Sequence, residues 1–536
     1  MINPLKHFRV KDTLIGEEAR EAIIDGVVLL EEIVASTLGP EGRTVVIEDK
    51  YGLPRSTKDG VSVAEEIYFG CPFKNAGAQM IKQAASRANV AAGDGTTTAT
   101  VLARHIVEMA SEKNTSPVDI RDGINELLPL VMDALKKSAK PISTLEDIYQ
   151  VAYISTNGDE DSSRKIADIV FQTGLNGVVT VEASNSQATT TEIVEGMQID
   201  SGFMSPYFIT NTQKATVELE NVFILPFNGH LANIQSLFDI VEQVHKDNAS
   251  ILVVADSVDA SVLEFLVTNK LDNNLKICVV LNPDHGSVAD EILRDIATVT
   301  KGKVVDEGSG VNLATITPDL LGFCSKVKVY HDKTLFIGGK GTQEDIAAIS
   351  EQALAMSKED SGLDKELRDL QKLRHARLKG GVGIIRVGGQ STLEVNEKKD
   401  RVDDAVAATK AALEMGVVPG GGVALLKVAD ALKNFKTSLR SGKAQAGIEV
   451  LLEAMEQPFK KILRNGDADF DTIKSKILQE GFNYGYNLRE RAYTDLVKVG
   501  VVDPLKVVIT SLDAACSVAT VILLTEAVVV NERKED

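Results

Sequence analysis

Between Glu17 and Leu38 the apolar residues Ala22, Ile23, Val27, Leu30, Ile33 and Val34 recur at helical spacing, and the run stops at Gly39-Pro40. The pattern predicts one amphipathic helix closed by a turn. Thr44 to Glu48 reads as a strand, and Lys58-Asp59-Gly60 as a tight turn before a helix carrying Val63 and Ile67. Helices dominate from there to about Lys140. After Pro141 the character changes: Val178 to Val181, Ile251 to Ala255 and Ile277 to Leu281 are short apolar runs of strand type. The last two flank the helical segment Asp259 to Asn273, which predicts a βαβ unit with a parallel pair. Helical periodicity returns after Glu394, with Arg401 to Met415 ending at Gly416 and a second helix after the turn Pro419 to Gly422. Val518 to Val530 is apolar but interrupted by Thr520, Thr525 and Glu526, and it falls short of the ~20 residues of a membrane span. It is expected to be a buried helix or strand.

Helical ends and an α/β middle predict one domain split by an insertion, with Pro141, Gly196, Gly380-Gly381 and Gly416 as candidate hinges. Two helices of the insertion are unusually apolar. In Asn233 to Lys246, Ile234, Leu237, Phe238, Ile240, Val241 and Val244 cover roughly 160° of arc, wider than the ~100° stripe of a helix buried on one face. In Asp259 to Asn273, Val262, Leu263, Phe265, Leu266, Val267 and Leu271 leave little polar circumference, so part of this surface is expected to be exposed for binding. The plainer reading is that all of it is core.

The chain of 536 residues exceeds the usual domain of about 100–150 residues several-fold. A net charge of −19 and the absence of tryptophan argue against a nucleic-acid surface, and the charge also disfavours an anionic membrane. Cys71, Cys278, Cys324 and Cys516 are dispersed, which suggests neither a zinc site nor a disulfide framework and fits a reducing, cytoplasmic setting. The histidines show no HxxxH spacing, so any metal is expected on carboxylates. Met1 to Arg20 has no apolar core, and a secretory signal is not expected.

The chemistry concentrates in Gly93-Asp94-Gly95-Thr96-Thr97-Thr98, an acidic glycine turn entering a helix. Glycines let a backbone approach an anion, a helix start supplies unpaired N–H groups, and Asp94 is placed to hold a divalent cation against phosphates. No lysine follows, which excludes a Walker A loop. The simpler alternative is an Asp-Gly turn capped by threonines. Asp59 and Asp404 are candidates to orient or deprotonate an attacking water, although Asp404 also reads as part of a solvated Arg-Val-Asp-Asp face.

With Thr-Leu-Gly-Pro, Lys-Asp-Gly-Val-Ser-Val, Gly-Asp-Gly-Thr-Thr-Thr-Ala-Thr, Val-Glu-Gly-Met-Gln, Ser-Pro-Tyr-Phe-Ile, Gly-Gly-Gly-Val-Ala-Leu and Asn-Tyr-Gly-Tyr-Asn in order, the chain resembles a group I, GroEL-like chaperonin from about Phe8 to Asn531. The resemblance implies an α/β multidomain chaperonin fold. Its parts are a discontinuous equatorial ATPase domain (1–140 and 416–536), an intermediate hinge domain (141–195 and 381–415) and an apical domain (196–380). It implies ATP with Mg²⁺ and K⁺, two stacked seven-membered rings, non-native polypeptides as clients and a GroES-like lid co-chaperonin. By the same resemblance Thr37, Leu38, Gly39 and Pro40 line the nucleotide, and Gly93 to Thr98 hold phosphates with Mg²⁺ on Asp94. Asp59 and Asp404 serve hydrolysis; Gly421, Asn487, Leu488 and Asp503 hold the adenosine; Thr37 and Lys58 match K⁺ positions. Clients are expected on Phe203, Tyr207, Phe208, Phe238, Val241, Leu263 and Val267.

The chain departs from this pattern in places. Asn487-Leu488-Arg489 replaces the small alanines usual after that asparagine, and Thr268 replaces an aliphatic residue. Ser201 and Thr392 stand in for a charged pair between subunits, and Met415 and Ile509 for one between domains, which predicts altered cooperativity or a specialised paralogue. Two rivals remain: an ATP-dependent kinase or ligase, which leaves the apolar helices unexplained, and a nucleotide-independent holdase. A group II chaperonin fits less well because no long helical lid insertion is evident in the middle block.

Overall fold

The computed structural model describes residues 11–48, 54–175, 177–184, 186–212, 215–233, 235–284, 286–306, 313, 316–358, 361–438 and 442–531. The chain forms two compact units. The larger comprises Met1–Asp168, Ala183–Thr189 and Val387–Asp536, and the smaller Ile169–Glu182 and Thr190–Arg386.

The larger unit is a helical body. In the helix Glu17–Val34, Ile23, Val27, Leu30 and Val34 fall on one stripe and are buried. Its neighbour Pro72–Ala92 crosses it at backbone contact: a Cβ on Gly26 would lie 1.8 Å from the Lys74 carbonyl oxygen, and one on Gly77 2.1 Å from that of Ile23. Only glycine permits that approach. The two ends of the unit are joined by strand Lys11–Ile15, which pairs antiparallel with Ala527–Asn531.

The apolar stretch expected to be one helix or strand is divided. Helix Leu505–Leu523 ends it on one side, and strand Ala527–Asn531 forms the other. That helix is long and apolar enough to cross a membrane, but it packs against Pro72–Ala92 and Thr96–Ser111, with Leu512, Ala515 and Ala519 fully buried. Core packing accounts for its composition. The helix expected over Arg401–Met415 begins earlier, at Thr392 behind an N-cap on Ser391, and stops at Gly416, whose φ of 83° continues no helix.

The smaller unit is built on a seven-stranded sheet ordered Gly196–Ile199, Thr334–Gly339, Gly322–Val329, Val217–Leu231, Ser250–Val258, Ile277–Leu281, with Val305–Asp306 also pairing to Val217–Leu231. The expected βαβ unit is present: Ser250–Val258 and Ile277–Leu281 run parallel, with Ile251 opposite Ile277, and helix Ala260–Asn273 makes the crossover.

The two apolar helices divide their faces. Helix Gln235–Lys246 buries Leu237, Ile240 and Val244 and leaves Phe238 51% exposed, with Val241 half-buried; Ile234 lies outside the described residues. Helix Ala260–Asn273 buries Val262 and Leu266, leaves Leu263 and Val267 half-buried, and exposes Phe265 and Leu271. The wide apolar arc is therefore part core and part surface. Tyr207 is exposed and Phe203 half-buried, edge-on to His331. Phe208, expected on the binding surface, is fully buried. The Ser205 hydroxyl accepts the Tyr207 N–H and starts a 3₁₀ turn, Pro206–Phe208, that sends the ring into the core.

A candidate nucleotide site in the helical unit

The turn Gly93–Gly95 links helices Pro72–Ala92 and Thr96–Ser111, and both glycines have left-handed φ, 72° and 86°. A Cβ on Gly93 would lie 2.2 Å from the Ala407 Cβ, so the turn sits directly against helix Thr392–Met415, one turn from Asp404. Gly95 is an N-cap without a capping side chain, which leaves the N–H groups of Thr96, Thr97 and Thr98 without intrahelical partners. The Asp94 carboxylate accepts the Gly95 N–H at 2.5 Å.

Asp59 caps the helix Gly60–Glu66. Its carboxylate accepts the N–H groups of Val61 (3.1 Å) and Ser62 (2.9 Å) and the Ser62 hydroxyl (2.7 Å). Thr57 orients the same turn by accepting the Asp59 N–H at 3.0 Å. Asp503 lies on strand Val502–Pro504 opposite Val418, and accepts the N–H groups of Gly421 and Gly422 from the triple-glycine turn.

These pieces surround one cavity of about 640 Å³, within the range of small-molecule sites. Of the residues singled out in the sequence, Thr37, Leu38, Gly39, Pro40, Lys58 and Asp59 line it from one side of the chain. Asp94, Gly95 and Thr98, then Asp404, Gly421, Asn487, Leu488 and Asp503, complete the lining. Gly93, Thr96 and Thr97 do not line it. Gly93 backs onto Ala407, Thr96 is buried, and the Thr97 hydroxyl is where a Gly60 Cβ would stand, 2.0 Å away.

The electrostatics are those of an unneutralised acidic pocket. Withdrawal from water pushes the Asp404 carboxyl well above its usual range, and Asp94 and then Asp59 add to the rise. Asp94 is raised by the same withdrawal, opposed by the Gly95 N–H and reinforced by Asp59. Asp503 is pushed up to about 6 by withdrawal from water and by Asp94, against the pull of the Gly422 and Gly421 N–H groups. No ion pair to any of these carboxylates occurs among the described residues. A divalent cation would relieve that repulsion. Among the described residues no cluster of three metal-ligating side chains exists; magnesium held by one or two carboxylates, phosphates and water requires none.

Several supporting residues carry no local signal in the sequence. Asn465 donates its amide to the carbonyls of Ala35 and Leu38, both at 2.9 Å, and so holds the Thr37–Pro40 loop. The Thr37 hydroxyl is committed to the Val34 carbonyl at 2.8 Å. Asn487 uses its carbonyl oxygen internally, accepting the N–H groups of Arg489 at 3.1 Å and Glu490 at 3.4 Å. Leu488, 6% exposed, packs on Gly466 and the Phe459–Leu463 cluster. Met415 and Ile509 both pack against the main core, and their helices are ion-paired nearby by Glu414 and Lys506 at 2.7 Å.

The fold has solved counterparts. The chain is similar to the chaperonin gp146 from the bacteriophage EL 2 (Pseudomonas aeruginosa), crystallised in the presence of ATP-BeFx. The TM-score is 0.72 in crystal form II and 0.65 in form I, at 21% identity in each, over 97% of this chain and 99% of that one. This is a mixed α/β chaperonin fold. The TCP-1/cpn60 chaperonin family matches residues 30–533, and the chain belongs to that family.

Proposed function

We propose that the protein is an ATP-dependent chaperonin. In this reading non-native polypeptides bind the exposed apolar positions of the smaller unit, and ATP hydrolysis in the larger unit drives their release and folding within a ring cavity. The observation that carries it is the convergence of Asp94, Asp404 and Asp59 with an uncapped, glycine-led helix start in one cavity. Asp94 holds Mg²⁺, which neutralises charge on the phosphates; Asp404 and Asp59 orient and deprotonate the attacking water; Gly421, Asn487, Leu488 and Asp503 receive the adenosine. A K⁺ ion on oxygens of Thr37 and Lys58 belongs to the same reading.

The reading assigns 1–140 and 416–536 to an equatorial ATPase domain, 141–195 and 381–415 to an intermediate hinge domain whose residues fall partly in each compact unit, and 196–380 to an apical domain. It assembles the chain as two stacked seven-membered rings in the cytoplasm, with a GroES-like lid. The four free cysteines accord with a reducing compartment. A second reading, a paralogue with weakened cooperativity, is favoured by the apolar packing of Met415 and Ile509 where the resemblance leads one to expect charges.

The test is refolding of a denatured client with ATP, with and without a lid protein, for wild type and Asp404→Ala. The proposal expects Asp404→Ala to bind ATP, hydrolyse little of it and fail to release client. Equal refolding by both proteins, or by wild type without nucleotide, would overturn it. Strongly sigmoidal ATP hydrolysis would dismiss the second reading.

A further inference from the structure

We infer that Arg489 is a nucleotide-retention residue, which clasps one edge of the cavity by holding Asn157 and turns an uncompensated guanidinium toward the ligand. The inference rests on the nucleotide reading above.

Arg489 lies in the turn between strands Tyr484–Asn487 and Ala492–Asp495, and it lines the same cavity as Asp94 and Asp404. Its backbone is fixed by the Asn487 side chain, which accepts its N–H. Its Nη2 donates to the Asn157 backbone carbonyl at 3.2 Å and to the Asn157 Oδ1 at 3.1 Å, so one side chain joins segments 332 residues apart.

The receiving turn is shaped for this contact. Asn157 and Gly158 both have left-handed φ, 63° and 90°, between helices Leu145–Ser155 and Glu160–Thr173. A Cβ on Gly158 would lie 2.9 Å from the Arg489 Nη1, so a larger residue there would push the guanidinium away. Asn157 also lines the cavity.

Charge is the second observation. Three cations, Lys58, Arg401 and Arg489, lie on the cavity wall; Arg401 is paired with Glu397 at 2.6 Å, whereas Lys58, like Arg489, makes no ion pair among the described residues. Arg489 makes no ion pair among the described residues, and its partners are neutral oxygens. A guanidinium has five N–H donors, so donors and a full positive charge remain for an anionic ligand. In a pocket dominated by carboxylates, such a charge opposes ligand loss. The small residues usual at this position by resemblance cannot make this contact, so the clasp is a property of this chain.

The experiment is stopped-flow release of a fluorescent ATP analogue from the full-length protein with Mg²⁺. Wild type is compared with Arg489→Ala, Arg489→Lys, Asn157→Ala and the double Ala variant. Loss of a charge-assisted contact is expected to speed release about tenfold in Arg489→Ala. Asn157→Ala should speed it by a smaller factor, the double variant should be no faster than Arg489→Ala, and Arg489→Lys should recover part of the retention. Arg489 is exposed, so the melting temperatures of ligand-free Arg489→Ala and Arg489→Lys should match wild type, while Asn157→Ala, at a left-handed φ of 63°, should melt slightly lower. Unchanged release in Arg489→Ala, or independent multiplying effects of the two substitutions, would overturn the clasp while leaving nucleotide binding intact. A wild-type chain that binds no analogue would instead remove the nucleotide reading, and the clasp with it.

Discussion

The Ser511 hydroxyl shares its proton between the Val507 carbonyl of its own helix at 2.7 Å and the Gly95 carbonyl at 3.0 Å, joining the C-terminal helix to the turn that begins the candidate phosphate site 416 residues earlier. The contact is close because Gly95 has no side chain: a Cβ there would lie 2.2 Å from the Ser511 Oγ and 2.8 Å from a Val507 methyl, at a φ of 86°. Gly95→Ala therefore combines backbone strain with overpacking, expected to cost about 2–4 kcal/mol. Ser511→Ala removes one hydrogen bond, worth about 1 kcal/mol. Urea unfolding should rank them in that order, and nucleotide titration should show the larger loss of affinity in Gly95→Ala.

The carboxylates of the cavity set a pH dependence of defined sign. Asp503 titrates near 4 when unfolded and near 6 in the ligand-free fold, so between those values the folded state binds more protons. Its contribution to stability is full below about pH 4 and is lost as pH rises through 6. The gap corresponds to at most about 3 kcal/mol, less because the carboxylate is half-buried and faces the cavity. Asp503→Asn should flatten the stability profile between pH 4 and 6 relative to wild type and raise ligand-free stability at pH 7. An unchanged profile would place Asp503 in a solvated setting.

The helical elements were legible wherever periodicity met punctuation. The Glu17–Val34 helix ended before Gly39-Pro40 and the Thr392–Met415 helix at Gly416, because glycine and proline act locally on the backbone. The acids Asp59, Asp94 and Asp404 were legible because each sits in a short motif with its own glycine or charge context. Asn465, Ser511, Arg489 and Asn157 were not, since their roles depend on partners hundreds of residues away, and pairwise proximity leaves no trace in spacing. Phe208 failed for a related reason. A three-residue turn has no periodicity from which to tell an inward ring from its outward neighbour Tyr207.

Glu31 is a fully buried carboxyl in the helical unit. It is 0% exposed, its oxygens accept no hydrogen bond among the described residues, and its neighbours are the Arg104 Nε at 3.8 Å and the Lys461 Nζ at 3.6 Å. Burial raises its carboxyl against the pull of both cations, and His105 alongside is pushed down to about 3 by burial and then by Arg104 and Lys461. Glu31→Ala strands the Lys461 ammonium, while Arg104 retains Glu108, and should destabilise by about 3 kcal/mol. Glu31→Leu combined with Lys461→Met should be close to neutral, because Arg104 keeps Glu108 at 3.0 Å. Denaturant midpoints for the single and double variants measure the difference.

Substitutions at Phe208 and Phe238 would separate folding of the smaller unit from the client binding proposed for it. Phe208 is fully enclosed by that unit's core, so Phe208→Ala should cost about 3–5 kcal/mol and appear first as a lower melting temperature. Phe238 stands 51% exposed on helix Gln235–Lys246 beside the buried Leu237. Phe238→Ser removes surface rather than core and should change stability by less than about 1 kcal/mol. If the exposed face captures clients, that substitution should still weaken suppression of a denatured protein's aggregation, measured by light scattering, and Phe265→Ser should weaken it further. Undiminished suppression in the double variant, with melting unchanged, would move client binding to another surface. Selective loss of suppression in Phe208→Ala at unchanged melting temperature would mean that this ring leaves the core when a client binds.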